Sequence, residues 1–174
     1  MISTKEDLKN IIALEEKEYG RSSLIRRYLR ELRICEYYKN CGGTTRLLFK
    51  LHNFYRNRLG LRLGFEIPLN VFGKGLHIFH TGNIIINETS SVGEYCNIIG
   101  STCLGGKDGG NGPTIGNHCE LGMNSVVIGN VKIGNNVYIG AGAVVTKSFE
   151  QNGVSLAGVP AKIVASRKDS KKDD

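Results

Sequence analysis

The chain has 174 residues, of which 40% are hydrophobic and 22% charged, and it contains 23 glycines but only 3 prolines. This length accommodates one domain with a core, or one domain and a small accessory segment, and excludes two large domains. The composition is too hydrophobic for a disordered chain. No apolar run is long enough for a signal peptide or a membrane-spanning helix. Because five cysteines without a CxxC pair favour a reducing compartment, we expect a cytoplasmic protein.

The net charge of +7 lies entirely in the first third of the chain. Residues 1–65 contain 14 Lys and Arg against 7 Asp and Glu, whereas the remainder contains 9 of each group. A solvated basic helix surface is the simplest interpretation, and weak contact with an anionic membrane surface is the alternative. We expect no nucleic-acid partner.

Residues 1–62 are predicted to form an N-terminal helical segment, because their apolar residues recur at helical spacing. Ser3 and Glu6 resemble a capping box at its start. A second amphipathic stretch covers residues 45–63. Its apolar stripe consists of Leu47, Leu48, Leu51, Phe54 and Tyr55, and its remaining surface carries Arg46, Lys50, Arg56, Arg58 and Arg62. We expect this stripe to pack against the following domain, with docking on a membrane surface as the alternative.

Beyond about residue 66, aliphatic residues return every six positions. They form two series, Ile86, Val92, Ile98 and Leu104, and then Ile115, Leu121, Val127, Ile133, Ile139 and Val145. Small or β-branched residues follow four positions later, at Ser90, Cys96, Thr102, Cys119, Ser125, Val131, Val137 and Ala143. A period of six with one large and one small inward site predicts a parallel β-helix. The fold class is therefore mainly β, with an N-terminal helical segment.

A glycine-rich segment interrupts this repeat, because Leu104 and Ile115 are eleven positions apart where six would keep the phase. Residues 105–114 are therefore predicted to form an extruded loop. Loops on rigid scaffolds commonly carry function. The loop has no P-loop motif, and no helical pattern follows it.

The repeats, the Leu104-Gly105-Gly106 turn and the sequence AGVPAKIV at residues 157–164 resemble the hexapeptide-repeat acyltransferases. The resemblance is strongest to the serine acetyltransferase branch, including its short relatives from capsule and surface-polysaccharide clusters. It covers roughly residues 60–165. It implies a left-handed β-helix in residues 63–165, followed by a charged tail at 166–174. It also implies a homotrimer with active sites between subunits, and acetyl-CoA as co-substrate.

The resemblance assigns catalytic roles to three residues. His80 is the expected general base, which an acceptor alcohol requires near neutral pH. Glu66 stands where the branch has an aspartate that orients the base. The backbone N–H of Gly106 is the expected donor to the oxyanion. The residues expected to hold CoA are Gly105, Gly106, Ala141, Pro160 and Lys162.

The other histidines are weaker candidates for the base. His77 is the main rival, whereas His52 is expected at a surface or interface and His118 at an exposed position of a repeat. A zinc-dependent γ-type carbonic anhydrase needs three converging histidines, whose close paired spacing this chain lacks. Since the cysteines also lack ligand spacing, we expect no metal.

Two departures from the branch leave the acceptor open. Phe79 precedes His80 where serine acetyltransferases have an aspartate that holds the substrate amine. The extruded loop lacks the Asp-Arg-His-Pro-like run that grips the serine carboxylate. L-serine, giving O-acetylserine, and a hydroxyl of a sugar or surface-polysaccharide precursor are therefore both candidates. A non-catalytic β-helix scaffold is the alternative of another class.

Overall fold

The computed structural model describes residues 2–42 and 46–167, so most of the predicted charged tail lies outside the described residues. Three helices come first, namely α1 (Lys5–Glu16), α2 (Leu24–Cys41) and α3 (Arg46–Leu63). The strands are β1 (Phe65–Glu66), β2 (His77–Ile78), β3 (Ile84–Ile86), β4 (Ser91–Val92), β5 (Asn97–Ile98), β6 (Cys103–Gly105), β7 (Thr114–Ile115), β8 (Glu120–Leu121), β9 (Val126–Ile128), β10 (Lys132–Ile133), β11 (Tyr138–Ile139), β12 (Val144–Val145), β13 (Val154–Gly158) and β14 (Ala161–Ser166).

The strands wind into a parallel β-helix with three faces. Face A contains β1, β3, β6, β9 and β12, face B contains β4, β7 and β10, and face C contains β2, β5, β8, β11 and β13. Three hexapeptides make one coil, since Ile86 pairs with Leu104 and Leu104 pairs with Val127 on face A. The last strand, β14, turns back and pairs antiparallel with β13. The predicted β-helix is confirmed.

The core of the β-helix is built from the residues that the hexapeptide pattern selects. Every aliphatic position of both series, and every small position that follows them, is at most 6% exposed. Each short strand directs one aliphatic side chain inward, while each corner has room only for a small one. The predicted inward positions are therefore confirmed.

The N-cap of the first helix lies one residue later than predicted. Thr4 Oγ1 accepts a hydrogen bond from the Asp7 N–H at 3.0 Å, and Asp7 Oδ2 accepts one from the Thr4 N–H at 3.0 Å. These reciprocal bonds satisfy two N–H groups at the helix start. The capping box is thus formed by Thr4 and Asp7, and the prediction of Ser3 and Glu6 was wrong.

Helix α2 packs against the first coil of the β-helix. Tyr28, Leu29 and Leu32 join the same buried core as the strand residues. The ring of Tyr28 meets that of Phe65 edge to face, with centroids 5.2 Å apart. The helical segment and the β-helix therefore share one core rather than forming separate ones.

A buried cluster of charged side chains links helices α1 and α2 to this coil. The guanidinium of Arg33, only 1% exposed, lies 2.7 Å from Glu15 and 2.8 Å from Glu36. It also donates to the carbonyl oxygens of Phe72 and Gly73, at 3.0 and 2.6 Å. Burial alone would lower the pKa of Arg33, but the charges of Glu36 and Glu15 outweigh it and raise that pKa. Arg33 therefore stays protonated.

In the single chain, the apolar stripe of helix α3 is exposed to solvent. Leu47 is 77% exposed and Phe54 is 61% exposed, whereas Gly60 and Leu63 are buried. The expectation that the stripe packs against the following domain was therefore wrong for the single chain. None of the described helices combines the length and apolar character that crossing a membrane requires.

Candidate functional site

His80 lies at a second interruption of the repeat, which was not predicted from the sequence. Ile78 pairs with Ile98 on face C, and Ile85 pairs with Cys103 on face A. Ile85 follows Ile78 by seven positions in the first coil, whereas Cys103 follows Ile98 by five in the second. The corner that carries His80 therefore contains two extra residues. The available signal was that Ile78 precedes Ile86 by eight positions instead of six.

The corner between faces C and A, here called the His80 corner, carries Gly100, Met123 and Ala141 on its successive coils. A methyl group on Gly100 would lie 3.4 Å from the Cβ of His80 and 3.2 Å from Met123 Cε. Ile98, Leu121 and Ile139 are paired on face C. Gly100, Met123 and Ala141 each follow one of them by two positions, so Ala141 lies in the same column as Gly100. At about 4.8 Å per coil, Ala141 lies about 14 Å along the corner from His80.

The C-terminal hairpin ends on this same corner. Gly158 pairs with Ala161, so Pro160 lies in the turn between β13 and β14. Lys162 follows at the start of β14 and is exposed. His80, Ala141, Pro160 and Lys162 therefore lie along one corner of one chain.

Gly106 lies at a different corner, between faces A and B. It follows strand β6, and a methyl group added to it would clash with the carbonyl oxygen of Gly110. Within the described residues, the N–H of Gly106 reaches no hydrogen-bond acceptor. The loop folds back on itself and on the preceding coil, because Gly110 donates to the Lys107 oxygen at 2.8 Å and Gly112 donates to Thr89 Oγ1 at 2.7 Å. The structure thus separates Gly105 and Gly106 from His80 by the width of face A.

Glu66 stands near the His80 corner but does not contact His80. It pairs with Ile85 on face A and is exposed. The neighbouring Gly64 accepts a hydrogen bond from the Ile84 N–H at 2.8 Å, just after the His80 turn. Among the described residues of one chain, no hydrogen bond joins Glu66 to His80. Glu66 instead lines a groove of about 740 Å³ between α3 and face A, with Arg56, Asn83 and Glu88.

The other three histidines are occupied within the chain. The ring of His77 packs between Tyr19, at 5.1 Å, and Phe79, at 4.2 Å. His118 stacks on Tyr95, with ring centroids 5.0 Å apart. His52 Nδ1 lies 2.7 Å from Glu31 Oε2. His80 is exposed, and within residues 2–42 and 46–167 no hydrogen bond or ring contact engages it.

Face A differs from the other faces in its outward side chains. From β3 onwards these are apolar on face A, where Ile85 is 45% exposed and Cys103, Val126 and Val144 are partly exposed, whereas Glu66 on β1 precedes them in the same outward column. The corresponding residues on face B are the exposed Ser91, Thr114 and Lys132. His80 and Gly106 border the apolar face at its two edges.

The cysteines do not assemble a metal site. Burial raises the pKa of the Cys96 and Cys119 thiols, which occupy inward positions of the repeat. Across the described part of the chain, no group of three or more His, Cys, Asp or Glu side chains could hold a metal ion.

Sequence comparison identifies the repeat and its relatives. The family described as bacterial transferase hexapeptide (six repeats) matches residues 112–147. A serine acetyltransferase of Synechococcus elongatus is 37% identical over 108 residues, which cover 60% of this chain and 44% of that protein. A serine acetyltransferase of Escherichia coli is 32% identical over 115 residues, covering 64% of this chain and 42% of that protein. The chain thus spans less than half the length of these curated relatives.

Structural comparison gives further serine acetyltransferases. The crystal structure of serine acetyltransferase from Brucella abortus superposes with a TM-score of 0.76 at 19% identity, covering 94% of this chain and 71% of that chain. Serine acetyltransferase of Neisseria gonorrhoeae in complex with serine gives 0.74 at 24% identity, covering 92% and 70%. At these identities the superposition shows a shared fold. The predicted resemblance is confirmed: residues 112–147 match the bacterial transferase hexapeptide repeat, and the proteins to which the chain is similar in sequence and in fold include serine acetyltransferases.

Proposed function

We propose that the protein is an acetyl-CoA-dependent O-acetyltransferase that acylates an acceptor hydroxyl, with L-serine as the first candidate. The observation that carries this proposal is the position of His80, exposed on a corner beside Gly100 and at the edge of face A. The names of the relatives support it. One solved relative is in complex with serine, and another is in complex with CoA.

A homotrimer would bring the two separated parts of the site together. The exposed apolar side chains of face A favour its burial against further copies of the chain. In a closed three-fold arrangement with face A towards the axis, one edge of each copy meets the opposite edge of the next. The edge with His80 would then face the Gly106 edge of the neighbouring copy. A site of this kind is completed only by two copies.

In this site His80 acts as the general base. Its imidazole takes the proton of the acceptor hydroxyl while the hydroxyl oxygen attacks the carbonyl carbon of the thioester. The Gly106 N–H, which has no acceptor within the described chain, donates to the oxygen that gains negative charge. The C–S bond then breaks, and His80 returns the proton to the departing thiolate of CoA. Glu66, on the strand beside the His80 turn, is assigned to orienting the imidazole.

The residues along the His80 corner fit the shape and charge of CoA. Gly100 has no side chain between His80 and Met123, and Ala141 continues the corner with an exposed methyl group, so the corner presents little side-chain bulk at these two positions. The exposed ammonium of Lys162 near the end of the corner is suited to a phosphate group. All five cysteines are free thiols, which supports a cytoplasmic location.

A sugar or surface-polysaccharide hydroxyl is the second candidate acceptor, and Phe79 favours it. This ring is 45% exposed beside His80 and packs on His77. It offers an apolar surface to a sugar ring and no charge to the amine of an amino acid. In the extruded loop of residues 105–114, only Lys107 and Asp108 are charged, so the loop has a single cation for a substrate carboxylate.

The experiment measures thiol release from acetyl-CoA with L-serine and, in parallel, with free and nucleotide-linked sugars. We expect turnover that disappears in His80→Ala and persists in His118→Asn. The latter is a matched control because His118 has a φ of 56°, which asparagine tolerates. Turnover with sugars alone would support the second acceptor. Absence of turnover and of CoA binding would favour the scaffold hypothesis.

A further inference from the structure

Helix α3 exposes an apolar stripe to solvent, and Leu61 at its C-terminal end also lines the groove beside face A. The outer stripe consists of Leu47, Leu51, Phe54 and Leu61, whose exposed fractions are 77%, 48%, 61% and 87%. At 3.6 residues per turn these four side chains fall within an arc of about 80°. Gly60 and Leu63, which are buried, lie on the opposite side. Such a stripe on a surface helix calls for an apolar partner.

Lys50 and Arg62 border the outer stripe, Arg58 lies within it, and no anion accompanies these cations. Arg46, Lys50, Arg58 and Arg62 are exposed, and α3 contains no Asp or Glu. Among the described residues these four side chains make no ion pair. The first third of the chain carries all of the net charge of +7. The partner of the stripe must therefore be apolar and negatively charged.

A second copy of α3 does not meet both requirements. Two such helices packed through their outer stripes would place eight cations together with no carboxylate from either helix to neutralise them. An anionic lipid surface supplies phosphates or carboxylates for the cations and a hydrocarbon boundary for the leucines and Phe54.

We propose that α3 docks the protein peripherally on an anionic lipid surface, with the outer stripe at the boundary of headgroups and acyl chains. This proposal does not depend on the proposed acetyl transfer. It requires no spanning helix, in keeping with the apolar content of α3. The helix lies flat because its apolar residues occupy one side along its whole length.

Sedimentation with lipid vesicles tests the proposal. The full chain is mixed with vesicles of phosphatidylcholine and phosphatidylserine, and separately with vesicles of phosphatidylcholine alone. We expect binding to the mixed vesicles, at least about tenfold weaker binding to the neutral ones, and release at high salt. In Leu47→Glu/Phe54→Glu we expect at least about tenfold weaker binding to the mixed vesicles. Lys132→Glu, an exposed change of charge on face B, is the control and should bind nearly as well as the wild type.

Two results would overturn the proposal. The first is equal sedimentation of the wild type and Leu47→Glu/Phe54→Glu, including the case in which neither binds. The second is a smaller native mass of that variant, because the stripe would then be a contact between copies. Circular dichroism and the melting temperature check that both variants are folded, and we expect no change because all three positions are exposed. Should the double variant unfold, Arg46→Gln/Lys50→Gln replaces it, with the same expected loss of binding.

Discussion

His80 precedes strand β3 and Gly106 follows strand β6, so that the two residues lie at opposite edges of face A. If each active site takes its base from one copy and its oxyanion donor from the next, two inactive variants should complement each other. His80→Ala removes the base. Gly106→Ala places a methyl group against the Gly110 carbonyl and displaces the donor.

Each variant alone should lose about 10²-fold or more in kcat, since either a general base or an oxyanion donor is missing. When the two are co-expressed, random mixing in trimers leaves about one quarter of the sites intact. We therefore expect recovery of up to about one quarter of wild-type activity. Thiol release from the mixed preparation measures this. No recovery, with mixed trimers demonstrated by two affinity tags, would place both residues in the site of a single chain.

Val126→Glu tests whether face A holds the copies together. Val126 points outward in the middle of this face, and a carboxylate there would be buried without a partner in an assembly. We expect the native mass to fall to that of a monomer and activity to be lost with it. Light scattering after size exclusion gives the mass. Thr114→Glu on face B should keep both mass and activity, and an intact trimer in Val126→Glu would contradict the arrangement.

Removal of Arg33 should strongly destabilise the protein. Arg33→Ala leaves the carboxylates of Glu15 and Glu36 buried without their cation. The expected loss in the free energy of unfolding is about 3–5 kcal/mol. Denaturant titration measures it. Arg30→Ala is the matched control, since Arg30 is exposed and 3.9 Å from Glu16, and it should cost no more than about 1 kcal/mol. Equal effects of the two changes would refute a structural role for the cluster.

The five thiols should differ sharply in reactivity at neutral pH. Burial raises the pKa of Cys35 to about 11, and it also raises the pKa of Cys96, Cys103 and Cys119. A raised pKa means less thiolate at a given pH, so these thiols should react slowly and speed up as pH increases. Cys41 is exposed and should react first.

Labelling with a disulfide reagent counts the fast thiols. We expect one in the native protein and five after denaturation. Cys41→Ser should remove the fast phase, whereas Cys103→Ser should leave it unchanged. A fast phase that survives in Cys41→Ser would show that one of the other thiols is open to solvent.

The periodic part of the fold was predictable from the sequence, because the constraint that produces it is local. Each strand of two or three residues must bury one aliphatic side chain, so Ile98, Leu121 and Ile139 reveal their inward direction by spacing alone. The interruption at residues 105–114 was visible for the same reason. The interruption at His80 was not predicted because the first aliphatic series began at Ile86. Ile78, eight positions before it, indicates the interruption.

For the candidate site, the resemblance indicated a set of residues and not their arrangement. Resemblance indicated His80, Glu66 and Gly106, but it did not reveal that one chain holds His80 and Gly106 at separate corners. Corners are assigned by the register of three sheets, and that register depends on both interruptions together.

The amino-acid sequence was sufficient for the repeat and the inward residues, since both depend on neighbours within a few positions. Tertiary structure was needed for everything that joins distant segments. It paired Arg33 with Glu15 and with the turn after Phe72, and it turned the stripe of α3 outward. Apolar spacing indicates that a helix has two sides, whereas the packing of the whole chain decides which side meets the core.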